Sequence, residues 1–364
     1  MRIVFVISSL GSGGAERVLS GLANHFVTKN NEVSIVTFSP AGTVPFYPLD
    51  PNINLIQLDQ LREDTFCLKR LKNIAKRTFC LRKALKALAP DLVISFVEVT
   101  NITTLIASIG LKVPVVVSER IFPGDHHIPR IYQWLRTLFY PRASKVVVQT
   151  ESAKNYFYYL NNVSVIPNAV LIPNFTKKHV SSAVCSIISV GRLCSPQKDF
   201  ETLVKAFSRL VTKYPGIHLT IYGDGDDRVN LENLITSLDL QDKVFLPGVT
   251  SDVYGVLQKA DMFVFPSRYE GFPNALCEAM AVGLPVIASN CSGNIDVVRD
   301  KIDGRLFTVG NVDALTSLMI ELIEDREQRQ RLSGNAKQIV TRFNSDEIFA
   351  MWDQVINEAA NLCN

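Results

Sequence analysis

The feature that most constrains this chain is an alternation that occurs twice. In the first half, RIVFVISSL, EVSIVTF, LVISFV, VPVVVSE and KVVVQT are short Val/Ile-rich runs. Such near-continuous apolar runs read as parallel strands buried on both faces. Amphipathic helical patterns lie between them, among them GAERVLSGLANHFVTK and RLKNIAKRTFCLRKALKAL. The second half repeats the scheme with CSIISVGRL, HLTIYGDG, KVFLPGV, DMFVFPS and GLPVIASN. Strands alternating with helices predict an α/β doubly wound parallel sheet, here two of them. The 364 residues also exceed one ordinary domain of about 100–200 residues. A seam is expected in VIPNAVLIPNFTKKHV, residues 165–180, where two prolines and two asparagines meet weak periodicity. This divides the chain into a domain over 1–168 and a second over 169–345. In the terminal helix that follows, Ile348, Phe349, Trp352, Val355 and Ile356 share one face. That helix, 346–364, is expected to pack back on the N-terminal domain.

Composition narrows the class. With 47% hydrophobic and 20% charged residues, disorder is not expected. Seven cysteines without a C-x-x-C pair suggest reduced thiols and a cytosolic location, not a disulfide framework or a zinc site. The start, MRIVFVISSLGSGGAER, has no small-residue cleavage site and reads as a first strand. The longest apolar run is broken by Lys112 and Pro114, which argues against a transmembrane span. Residues 1–175 carry 19 Lys+Arg against 11 Asp+Glu, a balance of +8, and the remainder 19 against 24, a balance of −5. The two halves are therefore expected to meet different partners.

Ligands of open α/β sheets bind beyond the carboxyl ends of the strands, so candidate residues are those just after strands. LGSGGAER places Gly13 and Gly14 directly after strand one, where a close backbone approach and helix-start N–H groups favour a phosphate. A plain strand-to-helix turn explains them equally well. A dinucleotide fingerprint fails, because Glu16 stands where its third glycine would be. In ISVGRLCSPQKDF, Arg192 follows a strand and Lys198 lies near a helix start at Asp199. A guanidinium and an ammonium there suit a diphosphate, although loop cations are usually only solvated. In RYEGFPNALCEAMAVG, Pro273 suits a first helical turn and Asn274 can cap it, so Phe272 to Ala275 are expected to offer N–H groups to an anion. Glu278 then lies one turn inside the helix, where a carboxylate can hold a vicinal diol such as a ribose. Compensation of the helix dipole would account for Glu278 alone, but not for Glu270, which projects from the loop.

GRLCSPQK and EGFPNALCE, in this order on two Rossmann-like halves, resemble the family-4 retaining glycosyltransferases of GT-B fold. The Gly-Gly loop and the terminal helix fit as well, so the likeness spans essentially the whole chain. It implies two Rossmann-like domains facing a cleft. Arg192 and Lys198 would bind the diphosphate of a nucleotide sugar, Glu278 its ribose, and Glu270 the transferred sugar or the diphosphate side. Gly13 and Gly14 would complete the phosphate cradle. No cofactor or metal is implied beyond the nucleotide sugar as co-substrate, and no His/Asp/Glu ligand cluster stands out. Many relatives carry a His after the first domain's strand, where VVVSERIFPGDHH has Glu119 and Arg120. Some relatives read S-E-R there. Arg120 could contact a phosphate, His126 or His127 could reach in from the loop, and a structural Glu119–Arg120 salt bridge is an equal alternative.

The helix KRLKNIAKRTFCLRKALKAL carries eight basic residues, and RIYQWLRTLFYPRASK sets Trp134, Phe139 and Tyr140 among Arg130, Arg136 and Arg142. Such surfaces suit an anionic membrane, here chiefly through 69–86. A solvated face is the plainer account, and nucleic acid is disfavoured because no recognised binding module is present. SFVEVTNITTLIASIGLK also resembles bacterial transferases that add N-acetylgalactosamine to lipid-linked oligosaccharides. The expectation is a retaining, metal-independent transferase, cytoplasmic and peripheral on the inner membrane face. It would take a UDP-sugar to a polyprenyl-diphosphate-linked glycan. An epimerase or hydrolase of the same shape, or a non-catalytic nucleotide-sugar-binding protein, are the rivals.

Overall fold

The computed structural model describes residues 1–61, 67–124, 128–170 and 183–361, without the side chains of 67–72. The chain divides into two compact units, Met1–Ala169 with Asp346–Asn364, and Val170–Ser345.

Unit 1 runs β1 (Arg2–Ile7), α1 (Gly14–Thr28), β2 (Glu32–Thr37), β3 (Asn54–Gln57), α2 (Cys67–Leu88), β4 (Leu92–Phe96), α3 (Glu98–Ala107), β5 (Val115–Ser118), α4 (Arg130–Phe139), β6 (Lys145–Val148), α5 (Glu151–Tyr156) and β7 (Val163–Val165). The strands form one sheet in the order β3-β2-β1-β4-β5-β6-β7, every pairing parallel. Unit 2 runs β8 (Ser186–Val190), α6 (Phe200–Ser208), β9 (His218–Tyr222), α7 (Arg228–Ser237), β10 (Val244–Gly248), α8 (Val253–Lys259), β11 (Met262–Phe265), α9 (Asn274–Val282), β12 (Val286–Ser289), α10 (Asn294–Val297), β13 (Arg305–Phe307), α11 (Val312–Glu324), α12 (Arg326–Ala336) and α13 (Ile339–Arg342). Its sheet has the order β10-β9-β8-β11-β12-β13, again all parallel. Both orders reverse direction once, between β1 and β4 and between β8 and β11. These are the switch points at which such sheets take ligands.

The central strands follow the predicted runs because apolar side chains on both faces enter a core. β4 and β11, for example, are buried along their whole length. Three strands were not anticipated: β3, β7 and β13 are edge strands of four, three and three residues. Their partly exposed or polar residues give no continuous apolar signal. The last helix, α14 (Ser345–Asn361), buries Ile348, Trp352, Val355, Ile356 and Ala359. They join Phe5, Leu22, Ile35, Ile94 and Phe96 in a core of unit 1. Trp352 stacks on Phe96 with centroids 6.1 Å apart, and Phe349 stacks on His25 of α1 at 4.4 Å.

Candidate functional site

In unit 2 the sequence candidates gather at the switch point, on the loops after β8 and β11. Three glycines let the surrounding loops close on one another. A Cβ on Gly223 (φ +145°) would stand 1.8 Å from the carbonyl oxygen of Gly191, and one on Gly225 (φ +155°) 2.3 Å from that of Leu193. Only glycine tolerates both the backbone conformation and this approach. The loop after β9 therefore lies directly against the Arg192 loop, joined to it by Leu193 N–H to the Asp224 carbonyl at 3.0 Å. Gly293, after β12, packs on Glu270 in the same way, since a Cβ there would meet the Glu270 carbonyl oxygen at 2.8 Å. Motif reading missed these glycines; the Gly-x-Gly of YGDG after a strand was the available signal.

Lys198 Nζ donates to Glu270 Oε1 at 2.5 Å, with side-chain exposures of 15% and 7%. The ammonium also lies 4.7 Å from the Phe265 ring centroid, a cation–π contact. The two sequence motifs thus join in one buried ion pair, and the aromatic beneath it comes from the end of β11. The loops carrying the pair are tied together twice more. Arg268 N–H donates to the Gln197 carbonyl at 2.8 Å, and the Arg268 guanidinium pairs with Asp199 at 3.0 Å. Asp199 itself sits in the left-handed region at φ +44°. Burial pushes its carboxyl up from the ordinary carboxylate range. Arg192 is exposed and has no ion pair among the described residues, so this cation stands open to a ligand.

The helix start departs from expectation. α9 begins at Asn274 with Pro273 in the capping position, so Asn274 is the first helical residue and not the cap. Pro273 has no N–H, and the Asn274 N–H donates to the Phe272 carbonyl at 3.0 Å. The expected row of N–H groups from Phe272 to Ala275 is therefore interrupted at its centre. Glu278 is buried one turn further along. The thiols near the site are held neutral. Burial pushes Cys291 up to about 11 and raises Cys194 as well, which disfavours thiolate chemistry. Among the described residues no group of three or more His, Cys, Asp or Glu could hold a metal ion.

In unit 1, Gly13 stands at the cap of α1 with ordinary extended backbone (φ −74°), and Gly14 opens the helix. The Glu16 carboxylate folds back over Gly13, where a Cβ would meet its Oε2 at 2.2 Å. Glu119 and Arg120 follow β5 and are both buried, and they engage different groups. Glu119 accepts from the Tyr140 hydroxyl, while Arg120 donates to Ser118 Oγ at 3.3 Å and to Asn168 Oδ1. Of the two alternatives for this pair, the direct Glu119–Arg120 salt bridge is not the one formed by Arg120, which makes these bonds instead. His126 and His127 lie outside the described residues, as do 171–180 of the expected seam.

The anticipated basic and aromatic surface is only partly a surface. Arg136 is 4% exposed and Tyr140 0%. The Arg136 guanidinium is folded over the Tyr156 and Phe157 rings, so neither residue can face a membrane. On α2, Arg77 donates to the Gln60 carbonyl at 2.8 Å, and Arg82 donates to the carbonyls of Ala107 and Ile109. The side chains of Lys69, Arg70 and Lys72 lie outside the described residues. Lys76, Phe79, Lys83 and Lys86 are exposed and fall on one helical stripe. No helix among the described residues is long and apolar enough to cross a membrane.

The description "Glycosyltransferase Family 4" matches residues 12–171, and "Glycosyl transferases group 1" matches residues 177–339. A Campylobacter jejuni GalNAc-alpha-(1->4)-GalNAc-alpha-(1->3)-diNAcBac-PP-undecaprenol alpha-1,4-N-acetyl-D-galactosaminyltransferase is 32% identical, covering 99% of each chain. A second transferase of that organism, named for N-acetylgalactosamine-N,N'-diacetylbacillosaminyl-diphospho-undecaprenol, is 26% identical over 94% of this chain and 95% of its own. Among solved structures, Anabaena HepE in complex with UDP and glucose superposes with a TM-score of 0.77 at 21% identity, covering 98% of this chain and 99% of that one. Two Rossmann-ordered parallel sheets, both glycosyltransferase matches and a full-length relative at 32% identity place this chain in the family-4 glycosyltransferases of GT-B fold.

Proposed function

We propose that the chain is a retaining, metal-independent glycosyltransferase. It moves a sugar, N-acetylgalactosamine or another hexose, from a UDP-sugar to a polyprenyl-diphosphate-linked glycan in bacterial glycan assembly. The observation that carries the donor half of this reading is the Lys198–Glu270 pair beside the open Arg192 cation, at the switch point of unit 2. Loss of a nucleoside diphosphate develops negative charge on the leaving phosphate. Preorganised cations stabilise that charge without rearranging during the reaction. Glu270 holds the ammonium in place from one side and reaches toward the transferred sugar, and Glu278 takes the ribose. Asn274 lies at the start of the same helix, next to the donor. A phosphate approaches the backbone of α1 at Gly13 and Gly14 only once the Glu16 carboxylate that folds over Gly13 swings aside, and Glu119 and Arg120 serve the acceptor side.

The acceptor class and the sugar are supported by the Campylobacter relatives, whose names give undecaprenol-diphosphate-linked acceptors and N-acetylgalactosamine. UDP is supported by the ligand named for the Anabaena structure. The α-linkage in the first relative's name fits retention from an α-linked donor. Contact with an anionic membrane at its inner face is supported by the Lys76, Phe79, Lys83 and Lys86 stripe on α2, where each basic residue near such a surface contributes about 1 kcal/mol. A donor screen against a polyprenyl-diphosphate-linked acceptor, with the product anomer read by NMR, tests the whole reading. Transfer with an α product is expected. A β product would refute retention, and donor hydrolysis that needs no acceptor would favour a hydrolase.

A further inference from the structure

The carboxyl ends of four neighbouring strands in unit 1 converge on one buried cation. Arg120, just after β5, is 8% exposed. Its guanidinium donates to Ser118 Oγ at 3.3 Å and to Asn168 Oδ1, and it lies 5.3 Å from the ring centroid of Phe96 at the end of β4. Asn168 follows β7 and accepts a second hydrogen bond, from Gln149 Nε2 at 2.9 Å. Gln149 follows β6. Arg120 has no ion pair among the described residues; its acceptors are a hydroxyl and an amide. Burial lowers the guanidinium to about 9 with no carboxylate opposing the shift, so it remains charged at neutral pH. A buried charge with only neutral partners is costly, and an arriving anion relieves it. Two of the five N–H donors of an arginine are used to fix the plane. The others are left for an oxyanion, which guanidinium binds in a forked geometry.

We propose that Arg120 is held as an open oxyanion site for a substrate phosphate, and that Asn168 is the positioning residue that orients it without neutralising it. An aspartate at 168 would supply the same acceptor but would also supply the missing counter-charge. The choice of phosphate as the oxyanion rests on the glycosyltransferase reading, in which donor and acceptor both carry a diphosphate.

The test is equilibrium binding to the full chain carrying Arg192→Ala and Lys198→Ala, so that neither unit 2 cation reports. The probes are inorganic pyrophosphate, UDP, and a polyprenyl diphosphate in detergent micelles. Adding Asn168→Asp is expected to weaken pyrophosphate binding by about tenfold or more while raising the thermal midpoint, because a buried ion pair has been completed. Asn168→Ala should weaken binding without that gain. A loss confined to polyprenyl diphosphate assigns the acceptor phosphate, and a loss confined to UDP assigns the donor. A raised midpoint with all three affinities unchanged overturns the proposal. Arg120→Lys, which keeps the charge and loses the fork, gives a second reading should the aspartate variant misfold; unchanged affinity there also overturns it. Binding is read without turnover, so a chain that transfers no sugar would refute the enzymatic reading and leave this one standing.

Discussion

Replacing Lys198 by methionine keeps most of the stem and removes the ammonium that lies over Phe265. Two consequences follow, and they separate. The first concerns folding. Glu270 is 6% exposed and accepts from Lys198 Nζ at 2.5 Å. Removing one member of a buried pair leaves an uncompensated charge and destabilises by about 3–5 kcal/mol. The 15% exposure of the Lys198 side chain places the expected value at the lower end, about 3 kcal/mol. For a unit of this size that is a fall in thermal midpoint of about 6–12 °C. The second consequence concerns rate. Loss of one preorganised charge at a developing anion lowers kcat by about 100- to 1000-fold. The double variant Lys198→Met/Glu270→Gln discriminates between the two. With both charges gone, the folding penalty should largely disappear, whereas transfer stays as low as in the single variant. Chemical denaturation followed by near-ultraviolet circular dichroism, together with single-turnover transfer, reads both quantities. If the double variant is as unstable as the single one, the ion pair is not what the buried acid depends on. If Lys198→Met transfers at more than a tenth of the normal rate, the ammonium is not at the leaving phosphate.

Three further outcomes are expected. Gly223→Ala should lower stability by about 2 kcal/mol or more and weaken UDP binding, because the new Cβ would be driven into the Gly191 carbonyl; an unchanged denaturation midpoint and UDP affinity would contradict the close-packed loops. Trp352→Ala should cost about 3–5 kcal/mol, since the side chain is 2% exposed and stacked on Phe96, and hydrogen exchange should place the loss in unit 1. Reversing Lys76, Lys83 and Lys86 to glutamate should weaken sedimentation with phosphatidylserine vesicles by about a hundredfold, from about 1 kcal/mol per residue, and equal sedimentation of the variant would remove α2 as the membrane contact.

Much of the architecture was legible because it depends on composition along single segments. Ten of the strands, all but the edge strands β3, β7 and β13, announce themselves as apolar runs, and the α14 face that enters the core of unit 1 was visible as a periodicity. Pairings between distant segments were not legible in the same way. Lys198 and Glu270 were each identifiable from their motifs, yet Lys198 reads in sequence as the companion of Arg192. It becomes the partner of Glu270, 72 positions away, because the sheet order sets β8 beside β11. Gly223, Gly225 and Gly293 were missed for the same reason, since each is required by a loop from a different strand. Arg136 reads as a surface cation, and only the packing of α4 on Tyr156 and Phe157 turns it inward.

Two of the eight described non-glycine residues with positive φ lie beside candidate residues. Val97 adopts φ +73° and Asp199 φ +44°, conformations that cost a non-glycine residue about 1–3 kcal/mol. Val97 follows β4 and Asp199 lies on the loop after β8, so each stands at the switch point of its own sheet. Neither strain is left to relax. The Val97 N–H is held by the Ser118 carbonyl at 3.1 Å, and Asp199 is held by Arg268 at 3.0 Å. Each of those contacts belongs to a neighbouring strand end that carries a candidate residue: Ser118 leads into Glu119 and Arg120, and Arg268 leads into Glu270. Other loops of the chain also hold non-glycine residues at positive φ, among them Ala89, Lys112 and Lys301; what sets Val97 and Asp199 apart is that each is braced against the segment that presents the charged groups. This ties the geometry of Lys198 to that of Glu270, and the end of β4 to the setting of Arg120.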